Sequence, residues 1–380
     1  MAERLLLKQW SSVFRQQLRY PGRRTLVILC LLFTVVYFTL YRSDIINRFF
    51  PKVSVMSPAV KQQALECQDL IESAERILDG EPIPLPFSGN TWWKFKQRVP
   101  SEVMKRNAFY GKSLHESAAD ISRKRQYFNV NVNEIKAMKM FITFGDRCCE
   151  LSKKRAVSKA KDVGGFDDAR SYNLTVMSSK FRQTHNDVLK DRRGAGYWLW
   201  KPYILLKTLV KDMKVGDIVM YHDAGAYFIR SAAPLLKLCE QSKDGIMVFG
   251  LTHIEHVFTK QDAFLLMNMS IPIAADTFQR LASFVVLRKC CTSIQFVMEW
   301  IAYLSDRRIA SDDPNTLGTP NPKSFRGHRH DQSVFSLLSK KWGLPAFRDP
   351  SQFGRSPIPG GNKYSSGPYE QIINHDRNRH

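Results

Sequence analysis

The sequence predicts an α/β domain, a mixed sheet flanked by helices, preceded by one transmembrane helix and a stem. Three observations predict it. The uncharged run Thr25 to Tyr41 lies near the N-terminus behind a basic segment. From about residue 137 onward, short apolar runs ending in turn residues alternate with stretches of helical period, as in α/β folds. The region between these two parts is punctuated by prolines and lacks that alternation.

The run TLVILCLLFTVVYFTLY, residues 25–41, contains no charge. Its length is near the lower limit for crossing a bilayer, about 17 residues, and suits a thin early-secretory or Golgi membrane. Arg4, Lys8, Arg15, Arg19, Arg23 and Arg24 precede it against the single acid Glu3. That excess places residues 1–24 in the cytosol and makes the chain a single-pass type II protein. No small-x-small cleavage site follows, which argues against a removed signal peptide. Everything from Arg42 onward is then lumenal or extracellular. Sequons at Asn173 and Asn268 fit this topology, although the methionines flanking Asn268 predict that it is buried.

The net charge is +22, with 57 Lys and Arg against 35 Asp and Glu. A lumenal domain does not meet nucleic acid, so nucleic acid is excluded as a partner. Anionic small molecules such as nucleotide diphosphates, acidic membrane surfaces and glycans remain, as does an ordinary solvated basic surface. Of seven cysteines, Cys30 lies in the span; the other six face an oxidising lumen, where one or more disulfides are expected. No Cys-x-x-Cys pair is present to build a structural zinc site.

Residues 42–136 read as a stem, with Pro51, Pro58, Pro82, Pro84 and Pro86 and with helical composition over Val60 to Leu78 and Ser101 to Arg125. The folded domain is predicted over residues 137–353. Met138 to Asp146 reads as a buried strand ending in a Gly-Asp turn, followed by a helical stretch. Gly196 opens the next element, Pro202 sits near its first turn, and Leu205, Leu206, Leu209 and Met213 form its apolar face. Ile218 to Tyr221 is a second buried strand, ending in His222-Asp223-Ala224-Gly225. Further strands are expected at Gly245 to Leu251 and Phe284 to Leu287, and helices at Thr292 to Leu304 and Asp331 to Trp342. The tail 354–380 is rich in Gly, Pro, Ser and Asn and reads as irregular.

Two constellations could carry chemistry. The first is Tyr221-His222-Asp223-Ala224-Gly225 at a strand's carboxyl end, where open α/β sheets bind ligands. An acid there, beside a glycine, suits a divalent cation carrying a diphosphate; the plain alternative is a turn aspartate. The second is Gly327-His328-Arg329-His330-Asp331-Gln332, running into a helix. Its histidines could ligate metal or touch phosphate; the plain alternative is an N-cap aspartate after two loop histidines. Tyr197, Trp198, Trp200 and Tyr203 either stack on a sugar or base or pack the helix against the sheet.

In order along the chain, FITFGD, GAGYWLWKPYILLKTL, GDIVMYHDAG, FTKQDAF and HRHDQSVFSLLSKKWGL resemble a family of nucleotide-sugar glycosyltransferases of the GT-A type, over about Met138 to Gln352. The resemblance implies a GT-A-like, Rossmann-like sheet, and the anchor with stem is similar to the layout of Golgi glycosyltransferases. It implies donor contacts at Asp146, Trp198, Lys201, His222, Asp223 and Gly225, with Asp331 and Gln332 beside the sugar and acceptor. GT-A enzymes carry an Asp-x-Asp motif; here only Asp223 is acidic and the first acid is missing. The resemblance therefore implies Mn²⁺ or Mg²⁺ held by Asp223 with His328 or His330. Its partners would be a nucleotide-sugar donor and a glycan or glycoprotein acceptor. Asp331 would be the base if configuration inverts, and a positioning group if it is retained.

Two other functions share parts of this pattern. A lumenal sulfotransferase needs a phosphate loop after the first strand, where Arg147-Cys148-Cys149 stands instead. A catalytically inactive binding or scaffold protein is compatible with the missing acid.

Overall fold

A computed structural model describes residues 58–86, 137–146, 149–355 and 369–376. The predicted tail 1–24, the span 25–41 and most of the stem lie outside the described residues. Among the described residues no helix is long and apolar enough to cross a membrane. The chain divides into two compact units, residues 1–65 and 66–380. Only the first turns of one helix are described in the former, and everything below concerns the latter.

The strands are β1 (Lys139–Phe144), β2 (Asp168–Tyr172), β3 (Ile218–His222), β4 (Ala226–Phe228), β5 (Ile246–Ile254), β6 (Phe278–Arg288), β7 (Ala346–Phe347) and β8 (Ile373–His375). Six of them form one mixed sheet in the order β2-β1-β3-β6-β5-β7. β1 runs parallel to β2 and β3, β6 is antiparallel to β3 and β5, and β7 is parallel to β5. All five β3 residues are buried, as are all of β1 after Lys139, which is why both read as unbroken apolar runs.

Side chains along these strands alternate between two cores, one on each face. Met140, Ile142, Phe144, Val219, Tyr221, Val285 and Leu287 join the larger core. Phe141, Ile218, Met220, Phe284 and Val286 join the smaller. Helices α1 (Pro58–Leu78), α2 (Glu150–Lys159), α3 (Trp200–Lys207), α4 (Ala233–Gln241), α5 (Gln261–Leu266), α6 (Cys291–Leu304) and α7 (Asp331–Lys341) cover the two faces. Leu205, Leu206, Leu209 and Met213 are all buried in the larger core, as their spacing predicted. Residues of α1, α3, α6 and α7 fill that core, and α2 and α4 contribute to the smaller one.

The structure corrects the expected boundaries in three places. The stem was expected to reach residue 136, but residues 66–86 belong to the folded unit. Leu70, Ala74, Ile77 and Leu78 recur at helical spacing and are buried in the larger core. The Leu78 carbonyl accepts from Ser178 Oγ and Tyr203 Oη at 3.0 and 3.2 Å, and the Gly80 carbonyl accepts from Thr184 Oγ1 at 2.8 Å. The tail was expected to be irregular, yet β8 pairs with β4, and Tyr369, Ile372 and Ile373 are buried. The segment after Gly196 was expected to be helical from its start, but α3 begins at Trp200. Residues 194–198 instead make one left-handed turn, with φ between 48° and 92°.

Cys291 is disulfide-bonded, whereas Cys239 and Cys290 carry free thiols. Both sequon asparagines are exposed. At Asn268 this corrects the expected burial: a left-handed φ of 53° turns it outward between fully buried Met267 and Met269.

Candidate functional site

A cleft of about 410 Å³ opens beyond the carboxyl end of β3. Its wall comprises Arg193, Trp198, Lys201, Asp223, Phe258, Ala282, Ser283 and the run Gly327 to Gln332. Five separate stretches of chain meet there, Phe258 coming from the short segment after β5. β3 and the middle of β6 supply the floor, the left-handed turn with the start of α3 supplies one side, and the loop entering α7 supplies the other.

Strand geometry sets the floor. Tyr221 and Asp223 are two residues apart and so point to one face, and the Tyr221 hydroxyl donates to Asp223 Oδ1 at 2.5 Å. The ladder continues one step past β3, with the Asp223 amide donating to the Ser283 carbonyl at 3.1 Å. His222 points to the opposite face, packed among Phe141, Phe228 and Phe284. It is fully buried, and burial lowers its pKa to about 4. The expected donor contact at His222 is therefore corrected, because the alternation of β3 turns the ring away from the cleft. Gly225 is likewise outside the wall, with its carbonyl accepting from the Asp376 amide at 3.1 Å. Asp146 follows β1 at the same sheet edge but does not line the cleft.

Lys201, on the first turn of α3, is 2% exposed. Its Nζ lies 2.5 Å from Asp331 Oδ2, 3.4 Å from Asp223 Oδ1 and 3.3 Å from the Ala282 carbonyl. Three N–H groups thus meet three acceptors, the whole donor capacity of an ammonium. Burial works against the charge, but the two carboxylates outweigh it and raise the Lys201 pKa. Asp223 keeps 33% of its side chain exposed. Burial opposes its ionisation, and Lys201, Tyr221 and Ser283 together overcome this to hold its pKa below the ordinary value. Asp331 goes the other way. Its side chain is nearly closed off, and burial drives its pKa up to about 6 in spite of Lys201. Two carboxyls on one ammonium are thereby pushed apart in acidity, the pattern that separates acid and base roles. The plain reading of Asp331 as an N-cap is also corrected: α7 starts at Asp331 itself, His330 holds the cap position, and the carboxylate reaches Lys201.

The metal set expected from the resemblance does not fit. His328 Nδ1 accepts from the Lys260 amide at 3.2 Å and its Nε2 donates to the Ile309 carbonyl at 2.8 Å. His330 Nε2 accepts from Arg193 Nε at 2.8 Å and its Nδ1 donates to the Ala310 carbonyl at 2.9 Å. A neutral imidazole has one acceptor nitrogen, and on both rings that lone pair is already used. Burial lowers both histidine pKa values, which keeps the rings neutral. Among the described residues no group of three or more His, Cys, Asp and Glu is placed to hold a metal ion. All three members of the expected set line the cleft, but only Asp223 has a side-chain acceptor left to offer there, and Lys201 stands against it.

Trp198 reaches the cleft because the backbone turns left-handed. The Trp198 amide donates to the Gly194 carbonyl at 3.2 Å, and Trp200 Nε1 donates to the same oxygen at 2.9 Å. A Cβ on Gly194 would lie 2.2 Å from the Trp198 indole, so only glycine fits beneath the ring. The indole stacks on His330 with centroids 5.4 Å apart. Tyr197, Trp200 and Tyr203 are buried, with Trp200 stacked on Phe144 at 3.6 Å, so packing accounts for them. Gln332 lines the cleft and donates to Gln279 Oε1 at 3.0 Å.

Sequence reasoning missed Ser283, Phe258 and the two wall arginines as specific residues. Arg193 pairs with Asp312 at 3.1 Å besides holding His330, and Arg329 lies over the Phe258 ring at 4.3 Å. Arg193 stood in a basic run with no other mark. Arg329, between the two histidines, was the available signal.

No protein-family model matches the chain, and no curated protein sequence does. Among solved structures it is similar to the WbbM bifunctional glycosyltransferase, at 12% identity and a TM-score of 0.38, over 65% of this chain and 47% of that one. It is also similar to mouse xyloside xylosyltransferase 1, at 10% identity and a TM-score of 0.39, over 63% of this chain and 98% of that one. A likeness of this extent leaves the chemistry to the side chains of the cleft.

Proposed function

We propose that the chain is a nucleotide-sugar glycosyltransferase and that this cleft is its active site. The observation that carries the reading is the pair Asp223 and Asp331. They sit at a strand's carboxyl end and a helix start, joined through buried Lys201 and set apart in acidity. Arg193 and Arg329 in the wall suit a diphosphate, and Trp198 offers a flat face for a base or sugar. The motif order from FITFGD to HRHDQS supports the same reading.

In the proposed reaction the acceptor hydroxyl oxygen attacks the anomeric carbon, and the bond from that carbon to the diphosphate oxygen breaks. The electron pair leaves with the nucleoside diphosphate, whose growing charge the wall arginines stabilise. The acceptor proton passes to Asp331, which is ionised above about pH 6. Gln332 orients the acceptor from the same helix turn. This assignment describes inversion.

The chain is proposed to act in the Golgi lumen, anchored as a single-pass type II protein by residues 25–41 and separated from the membrane by the segment after residue 42. A disulfide at Cys291 and exposed sequons at Asn173 and Asn268 suit that compartment. The acceptor is proposed to be a glycan or glycoprotein.

The full chain, purified in detergent, would be assayed for hydrolysis and transfer with a panel of UDP- and GDP-sugars. Turnover of one donor that disappears in Asp331→Asn supports the assignment. No turnover and no nucleotide binding with any donor would leave the inactive scaffold as the better reading.

A further inference from the structure

Lys201 stands where the expected divalent cation would have to sit. In the set the resemblance implies, Asp223 would hold a divalent cation that carries the donor diphosphate. Here the space beside Asp223 Oδ1 holds the Lys201 ammonium at 3.4 Å, and the Tyr221 hydroxyl occupies the same oxygen at 2.5 Å. The ammonium cannot swing aside cheaply. It is buried, it satisfies Asp331 and the Ala282 carbonyl as well, and its stem is fixed on the first turn of α3. Mg²⁺ and Mn²⁺ need several oxygen ligands in near-octahedral array, and the two histidines that would complete the set have no free lone pair.

We propose that this chain binds its nucleoside diphosphate without a divalent cation, Lys201 serving as a built-in cation between Asp223 and Asp331. The inference rests on the function proposed above and names how that site handles charge. The local arithmetic favours it. With a phenol at Tyr221, the site sets two carboxyls, Asp223 and Asp331, on one ammonium instead of three. A diphosphate approaching Asp223 then meets a floor on which Lys201 cancels one of the two carboxylate charges, and the cationic wall of Arg193 and Arg329. Lys201 is a positioning residue in this scheme, because its three donors are spent on protein oxygens.

The experiment has two independent readouts on the full chain. First, UDP and GDP binding is measured by calorimetry in EDTA and in Mn²⁺. The expected dissociation constants agree within about twofold, and a loss beyond about tenfold in EDTA overturns the proposal. Second, Mn²⁺ alone is titrated and bound ion is read by electron paramagnetic resonance. The wild-type chain is expected to take up none at this site, whereas Lys201→Ala, which leaves two facing carboxylates, is expected to bind one ion, lost again in the double variant with Asp223→Asn. Stoichiometric uptake at this site by the wild-type chain, measured as ion lost in Asp223→Asn, overturns the proposal, as does a folded Lys201→Ala that takes up none. If Lys201→Ala does not fold, the wild-type titration and the EDTA comparison still decide. A chain that binds neither UDP nor GDP in any buffer counts against the proposed function. The Mn²⁺ titrations then judge the role of Lys201 by themselves.

Discussion

Asp331 offers the sharpest quantitative test of the cleft. Burial raises its pKa from 3.8 to about 6, with Lys201 pulling the other way and Asp223 adding to the rise. A general base works only when ionised, so activity increases as pH rises through that value. For a single group, about one-tenth is ionised one unit below its pKa and about nine-tenths one unit above. The expected profile of kcat/KM for donor turnover therefore climbs about tenfold between pH 5 and 7 and then levels off. Asp331→Asn should remove this limb together with roughly 10² to 10⁴ of the rate. Stability carries the opposite sign. A carboxyl whose folded pKa is raised contributes stability that is fully present below 3.8 and is lost as pH rises through about 6. At about 1.4 kcal/mol per pKa unit, that loss is on the order of 3 kcal/mol. Asp223, with its pKa lowered, contributes stability above its ordinary value and loses it only at more acid pH. This part of the stability is read as the difference in melting temperature between the wild type and Asp331→Asn, which should shrink as pH rises toward about 6, because buried His222, His328 and His330, with lowered pKa values, gain stability over the same range in both chains. A profile flat from pH 5 to 7, or an acid limb that survives in Asp331→Asn, would refute the base assignment.

Two further outcomes are expected. Glu255 and Lys340 are both fully buried and paired at 2.6 Å, and Glu255 also accepts from Thr259, Gln279 and Ser336. Glu255→Ala removes the carboxylate that neutralises Lys340 and should cost about 3–5 kcal/mol, read as a lowered urea midpoint; a change under about 1 kcal/mol would show the network to be slack. Gly194→Ala forces a left-handed alanine, costing about 1–2 kcal/mol, and drives its Cβ into the Trp198 indole. It should shift tryptophan emission and weaken donor binding while leaving the far-ultraviolet circular dichroism unchanged, and an unaltered donor affinity would remove Trp198 from the site.

The central strands were legible because burial on both faces writes an unmistakable apolar run, as in MFITF and IVMY. The edges were not. β2 reads Asp-Ala-Arg-Ser-Tyr, a polar segment that pairs on one side only, and β7 is two residues long. β8 was hidden in a tail whose glycines and prolines outweighed the single pair Ile372-Ile373. At the site, Asp223, Lys201, Trp198, Asp331 and Gln332 were all anticipated, and the cleft does bring them together. What spacing could not reveal was direction. His222 is next to Asp223 in sequence and on the other face of the sheet in space. His328 and His330 lie beside the cleft, but backbone groups of residues 260, 309 and 310 and the Arg193 guanidinium take their nitrogens. Such hydrogen bonds join residues 19 to 137 apart in the chain, and local pattern carries no trace of them.

The same strand alternation explains why the departure from Asp-x-Asp has a structural counterpart elsewhere in the chain. The position two before Asp223 must share its face, so an acid there would place a second carboxylate in the larger core, far from water. A tyrosine in its place fills that core, and its hydroxyl is still in reach of Asp223. The site then holds two carboxyls, Asp223 and Asp331, against the one ammonium that Lys201 supplies from the neighbouring helix. An acid at position 221 would add a third carboxyl to that one ammonium, and a neutral residue at position 201 would leave two carboxyls facing each other with none. Tyr221 and Lys201 are therefore a matched pair. Restoring the acid with Tyr221→Asp should destabilise the wild-type background more than it does a Lys201→Ala background given Mn²⁺, and equal penalties in the two would break the link between them.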